Sequence, residues 1–123
     1  METNMNSLEL NKILILEFSN LKSAYIEEVE WQEGDNTGSH TVYGDIFVPY
    51  FRECILSKNA NEITKIAKFL ENLLEKKDNY ADEVITFSVL ESIMDLINLD
   101  EKLILFFGDN TKKIILELNS IYE

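Results

Sequence analysis

Asn59-Ala60-Asn61-Glu62-Ile63-Thr64-Lys65-Ile66-Ala67-Lys68-Phe69-Leu70-Glu71-Asn72-Leu73-Leu74-Glu75-Lys76-Lys77 is the stretch that decides the fold class. Ile63, Ile66, Phe69, Leu70, Leu73 and Leu74 recur at three- and four-residue steps, the period of a helix with one buried face. The asparagines at 59 and 61 break the preceding segment and offer a cap. Lys76-Lys77 place cations where the C-terminal dipole favours them. Such a stripe is stable only when neighbouring elements cover it.

Downstream, Asp78-Asn79 opens a turn, and Val84, Ile85, Phe87, Val89, Leu90, Ile93, Met94, Leu96 and Ile97 follow. That segment is apolar over more than one stripe, which predicts a helix sandwiched between neighbours. Residues 98–107 read as a short helix, Gly108-Asp109-Asn110 as a turn, and 111–121 as a final amphipathic helix. Upstream, Ser7 offers a cap to a first helix carrying Leu8, Ile13, Leu14, Leu16 and Phe18. Leu21, Tyr25, Ile26 and Val29 extend or follow it. Residues 33–41, with two glycines, read as a polar loop. A second helix is expected to begin near Gly44-Asp45, with Pro49 in or just after its first turn, where the missing N–H costs least.

The expected fold is all-α: five to six helices, either an irregular bundle or antiparallel pairs stacked as in HEAT-type repeats. No self-similar period and no separating linker occur, so residues 1–123 read as one helical domain. The chain carries 11 Lys+Arg against 23 Asp+Glu, a formal charge of -12, with 46% hydrophobic residues. This length supports a core without disulfides or a structural metal. The negative field repels phosphate backbones and anionic lipids, which excludes nucleic acid and membrane surfaces as expected partners and favours a basic protein. Cys54 stands alone, the first residues lack a secretory pattern, and the longest apolar runs cannot span a bilayer. A cytoplasmic location is expected.

Chemistry is sparse. His40 is the only histidine, and Asp45 is the carboxylate it would need for acid–base work. Against that pairing stands a solvated loop histidine. Cys54 lies on an apolar helical face and reads as a small buried hydrophobe. Inward Glu-x-x-His pairs, zinc spacing, an EF-hand loop and a Gly-rich phosphate loop are all missing. The chain is therefore expected to be no enzyme, with no catalytic residue, cofactor or metal.

The acids are unevenly placed. No Lys or Arg occurs between Lys22 and Arg52 or between Lys77 and Lys102, and thirteen of the 23 acids fall in these two windows. Local i,i+4 pairing cannot neutralise them. Asp82 and Glu83 suit the first turn of a helix, and Asp78, Asp100 and Asp109 suit caps. Glu91 and Asp95 have no such use; on one helix they face the same way and repel weakly, so the acids read either as a solvated acidic face or as a surface awaiting a cationic partner. Trp31 lies among Glu27, Glu28, Glu30 and Glu33, and serves either as a packing residue or as an interface anchor able to stack on Arg. The candidate partner-binding residues are Glu27, Glu28, Glu30, Trp31, Glu33, Asp35, Asp45, Glu91 and Asp95.

Val42-Tyr43-Gly44-Asp45-Ile46-Phe47-Val48-Pro49-Tyr50-Phe51 adds a resemblance. With Ile66, Phe69, Leu70, Glu71 and Leu73, then Val89-Leu90-Glu91-Ser92-Ile93 within 84–94, it resembles small acidic bacterial helical proteins. These are the immunity proteins of polymorphic-toxin and contact-dependent inhibition systems. The similarity covers about residues 41–122 and rests on aromatic and aliphatic positions. It implies a HEAT-like helical domain that binds and neutralises a toxin, here a basic one, and it assigns no site residues. Tyr43-Gly44-Asp45 is expected to set the helix start, with Gly44 supplying freedom and Asp45 the cap. The other reading of the charge is a stand-alone acidic interaction module, an adaptor or a nucleic-acid mimic.

Overall fold

The computed structural model describes residues 4–121, and no strand occurs among them. Seven helices form: α1 (Ser7–Glu17), α2 (19–30), α3 (39–56), α4 (Ala60–Glu75), α5 (79–93), α6 (Met94–Leu99) and α7 (Asp109–Ile121). Two 3-10 segments, Gly34–Asn36 and Glu101–Phe106, connect them. The class is all-α as expected, with a count slightly above five to six. The surplus arises at Ile93, whose φ of -117° and ψ of 6° break the apolar 79–99 stretch into α5 and α6.

Three caps explain where helices begin. Asn6 accepts the Glu9 N–H at 2.9 Å, Asn59 accepts that of Glu62 at 3.3 Å, and Asp78 accepts that of Ala81 at 2.8 Å. Asn6, rather than Ser7, thus caps α1. The Ser7 hydroxyl is engaged elsewhere, 2.8 Å from the Tyr80 hydroxyl.

Helix α3 departs most from expectation. It starts at Ser39, inside the expected polar loop, and Tyr43-Gly44-Asp45 lies within it rather than at its start. Gly38 precedes it without a side-chain cap. Instead the Ser39 N–H donates to Ser7 Oγ at 3.2 Å and Tyr80 Oη at 3.1 Å, so two hydroxyls from distant segments satisfy the helix terminus. Pro49 consequently sits well inside α3. The turn just before it, Tyr43–Phe47, is π-helical, and this widening accommodates the missing donor and the ring. A second π-helical stretch, Val84–Leu90 in α5, packs against the first.

The core centres on Phe47, which is fully buried. Its ring lies 5.5 Å from Phe18, 5.8 Å from Tyr43, 5.9 Å from Phe51 and 5.7 Å from Phe69. Truncating such a ring costs about 3–5 kcal/mol. The α4 stripe read from the sequence is buried in full, from Ile63 to Leu74, and Cys54 is buried as expected.

Candidate protein-interaction surface

Helix α2 buries Tyr25 and Val29, one turn apart, and this register turns Glu27 and Glu30 to solvent. The helix stops at Trp31, whose side chain is 74% exposed. Trp31 is therefore no core residue: it stands at the end of α2 with Glu27, Glu30 and Glu33 exposed around it in the chain.

Glu28 points to α3. Gln32 Nε2 donates to its carboxylate, and the Asp45 carboxylate of α3 lies near enough to act on it. Partial burial, and then the Asp45 charge, push the Glu28 carboxyl above the ordinary glutamate range. Asp45 is exposed. Glu28 and Asp45, 17 positions apart in sequence, thus form one anionic spot between α2 and α3.

Asp35 has a structural partner. Its Oδ1 accepts the Tyr25 hydroxyl at 2.7 Å, and burial together with this bond pushes Tyr25 to about 12. The buried Asn11 amide donates to the carbonyls of Thr37 at 2.8 Å and Asp35 at 3.3 Å, and its oxygen accepts the Ser39 hydroxyl at 2.8 Å. Together these bonds hold the 33–38 segment against α1.

The second window differs from its sequence reading. A 3-10 turn, Glu91–Ile93, separates Glu91 from Asp95, so the two do not form the expected i,i+4 pair on one regular helix. Arg52 of α3 grips Asp95 instead, with Nη1 at 2.8 Å from Oδ1 and Nη2 at 2.9 Å from Oδ2. Arg52 also donates to the Ser92 carbonyl at 2.8 Å. These bonds hold the Asp95 carboxyl below the ordinary aspartate range. Glu91 is exposed and has no ion-pair partner among the described residues.

His40 lies in the first turn of α3, not in a loop. Its Nδ1 meets Ser88 Oγ at 2.6 Å and its ring stands edge-on to Tyr80 at 5.9 Å. Ser88, rather than Asp45, is its hydrogen-bond partner. Arg52, Ser88 and Gln32 belong to this surface although the sequence reading passed over them. Arg52 carried a signal: it is the only cation between Lys22 and Lys58.

Helix α3 thus meets both acidic windows, through Asp45 beside Glu28 and, about two turns on, through Arg52 beside Asp95. The arrangement offers carboxylates and one exposed indole, groups suited to binding a cationic protein surface. Among the described residues, no group of three His, Cys, Asp or Glu is set to hold a metal, and no helix is long and apolar enough to cross a membrane.

Residues 11–123 match the model of a family described as a domain of unknown function, DUF7674. The chain belongs to the DUF7674 family. The match spans the whole surface described above, from Asn11 of the loop brace to Asp95. No curated protein and no solved structure matches the chain.

Proposed function

We propose that this DUF7674 chain is a cytoplasmic immunity protein that binds and neutralises a cognate basic toxin domain through its acidic surface. The observation that carries the reading is Trp31, 74% exposed, beside exposed Glu27, Glu30 and Glu33 in a window without a single cation. An exposed indole with exposed carboxylates near it in the chain suits an arginine-rich face, combining buried area with cation–π attraction. Toxin domains that cleave nucleic acid carry such a cationic face for their substrate, and an acidic protein competes for it. The reading includes antiparallel helix pairs stacked in the HEAT manner, supported by the packing of α3 on α4 and of α4 on α7.

The test has two stages. The tagged chain captures its partner from native cells, and the captured protein is then expressed in a sensitive host with and without the chain. Growth arrest by the partner, relieved by the chain but not by Glu27→Lys/Glu28→Lys/Glu30→Lys, is expected. A harmless partner points instead to an adaptor or nucleic-acid mimic, and unchanged rescue by the triple variant overturns the assigned face.

A further inference from the structure

The cations of this acidic chain are gathered as well. Leu16, at the end of α1 and 84% exposed, stands between two open clefts. Between α1 and α4, Lys65, Lys68 and Lys76 rim a cleft of ≈ 340 Å³ floored by Ile13, Phe69 and Leu73. Between α1 and α2, Lys12, Lys22 and the half-exposed Ile26 rim one of ≈ 440 Å³ floored by Ile15 and Tyr25. Five of the 11 cations thus surround one leucine. Only Glu17 and Asp35 oppose them within the clefts, and Asp35 already accepts the Tyr25 hydroxyl. None of the five lysines has an ion-pair partner among the described residues, where Arg52–Asp95 is the one salt bridge. Lys65 is held in place over the Phe18 ring, 4.8 Å from its centroid.

We propose that these clefts dock an acidic amphipathic helix of a second protein partner, laid along α4 with apolar side chains on either side of Leu16. Lys65, Lys68 and Asn72 of α4, with Lys76 at its C-cap, form one stripe about 16 Å long, or about three turns, which a helix of about four turns covers with repeating carboxylates. Concave apolar floors accept protein side chains, whereas a lipid surface would touch Leu16 and leave both clefts unfilled. A second copy of this chain would bring a further charge of -12. The α1–α2 cleft adjoins the acidic window through Ile26 and Asp35, but Trp31 lines neither cleft, so the occupant is assigned separately from the basic partner proposed above.

The test measures fluorescence anisotropy with a synthetic helix of about four turns, leucine on one stripe and glutamate on its flanks. Its glutamine counterpart, which the acidic windows do not attract, serves as the reference peptide. The intact chain is expected to bind the glutamate peptide about tenfold tighter than the glutamine peptide. Lys68→Glu/Lys76→Glu reverses the preference, Leu16→Ser weakens binding about tenfold, and Trp31→Ala leaves it unchanged. Equal affinities, no measurable binding, or indifference to the lysine and leucine variants overturns the proposal. Co-sedimentation with phosphatidylglycerol vesicles, lost in Leu16→Ser, overturns it in favour of a membrane. Concentration-dependent dimers lost in the same variant overturn it in favour of self-association.

Discussion

Arg52 and Asp95, 43 positions apart in the chain, meet through two parallel N–H···O bonds of 2.8 and 2.9 Å. The fork ties α3 to the start of α6 and removes one carboxylate from the free charge of the second window. Both side chains are partly exposed, which limits the pair's worth. A double-mutant cycle with Arg52→Ala and Asp95→Ala is expected to give a coupling of about 0.5–1 kcal/mol by denaturant unfolding, smaller at high salt. A coupling near zero at low salt would show that the fork adds nothing.

Glu71 anchors α7. Its carboxylate accepts the N–H groups of Asn110 at 3.1 Å and Thr111 at 3.0 Å, and both of their side chains at 2.9 Å. Burial opposes ionisation of Glu71, but these bonds outweigh it and hold the carboxyl below the ordinary glutamate range. Glu71→Ala is expected to cost about 2–3 kcal/mol at neutral pH. The folded-state value is the depressed one, so the contribution is complete above the ordinary glutamate range and disappears as pH falls through the lowered value. Chemical unfolding of both proteins across the acid range should show their stabilities converging. A constant gap would contradict it.

Gly108 tests the same anchor from the other side. A Cβ there would lie 2.5 Å from Glu71 Cδ and 2.6 Å from its Cγ, so a side chain at 108 must push the carboxylate off its donors. Gly108→Ala should destabilise by about 2 kcal/mol, and adding Glu71→Ala should cost far less than the sum of the singles. Full additivity would mean that the two residues act independently.

Asp82 runs the opposite way. Its Oδ1 is buried without a hydrogen-bond partner among the described residues, and burial followed by the Asp78 charge raises its pKa. A carboxyl raised on folding penalises the native state above its folded value, and the penalty is relieved as pH falls through that value. Asp82→Asn should therefore stabilise by about 0.5–1 kcal/mol at neutral pH and by nothing once both states are protonated. A thermal melt at two pH values decides it.

Trp31→Ala separates folding from binding. An indole this exposed contributes little to stability, so the variant should unfold within about 0.5 kcal/mol of the parent. Its affinity for the captured basic partner should fall by about tenfold or more. Normal affinity in a normally folded variant would remove Trp31 from the interface.

What the sequence made legible is what short-range physics controls. The α4 stripe and the caps at Asn59 and Asp78 depend on residues within one turn, and they stand where the spacing puts them. The start of α3 was hidden because its cap is tertiary: no residue near Ser39 announces that Ser7 and Tyr80 will receive its N–H. Gly44 and Pro49 then read as a helix boundary, although the helix runs on through both, π-helical at Gly44 and α-helical at Pro49. The acidic windows were visible as absences of cations. Their joining at Glu28–Asp45 and the capture of Asp95 by Arg52 required the packing of α3 between α2 and the 84–95 segment. Trp31 could have been core or surface by sequence, and only the burial of Tyr25 and Val29 settles the register of α2.

The first and last helices are fastened by different chemistries. Hydroxyls of Ser7, Ser39 and Tyr80, with the Asn11 amide, hold the α1–α3 junction and none of these bonds involves a carboxylate, although just ahead of α1 Asp78 accepts the Met5 N–H at 2.7 Å. One carboxylate, Glu71, holds the beginning of α7. Acidification should therefore release the molecule in a set order, with amide protons of 109–121 exchanging first while the α1–α3 junction stays protected.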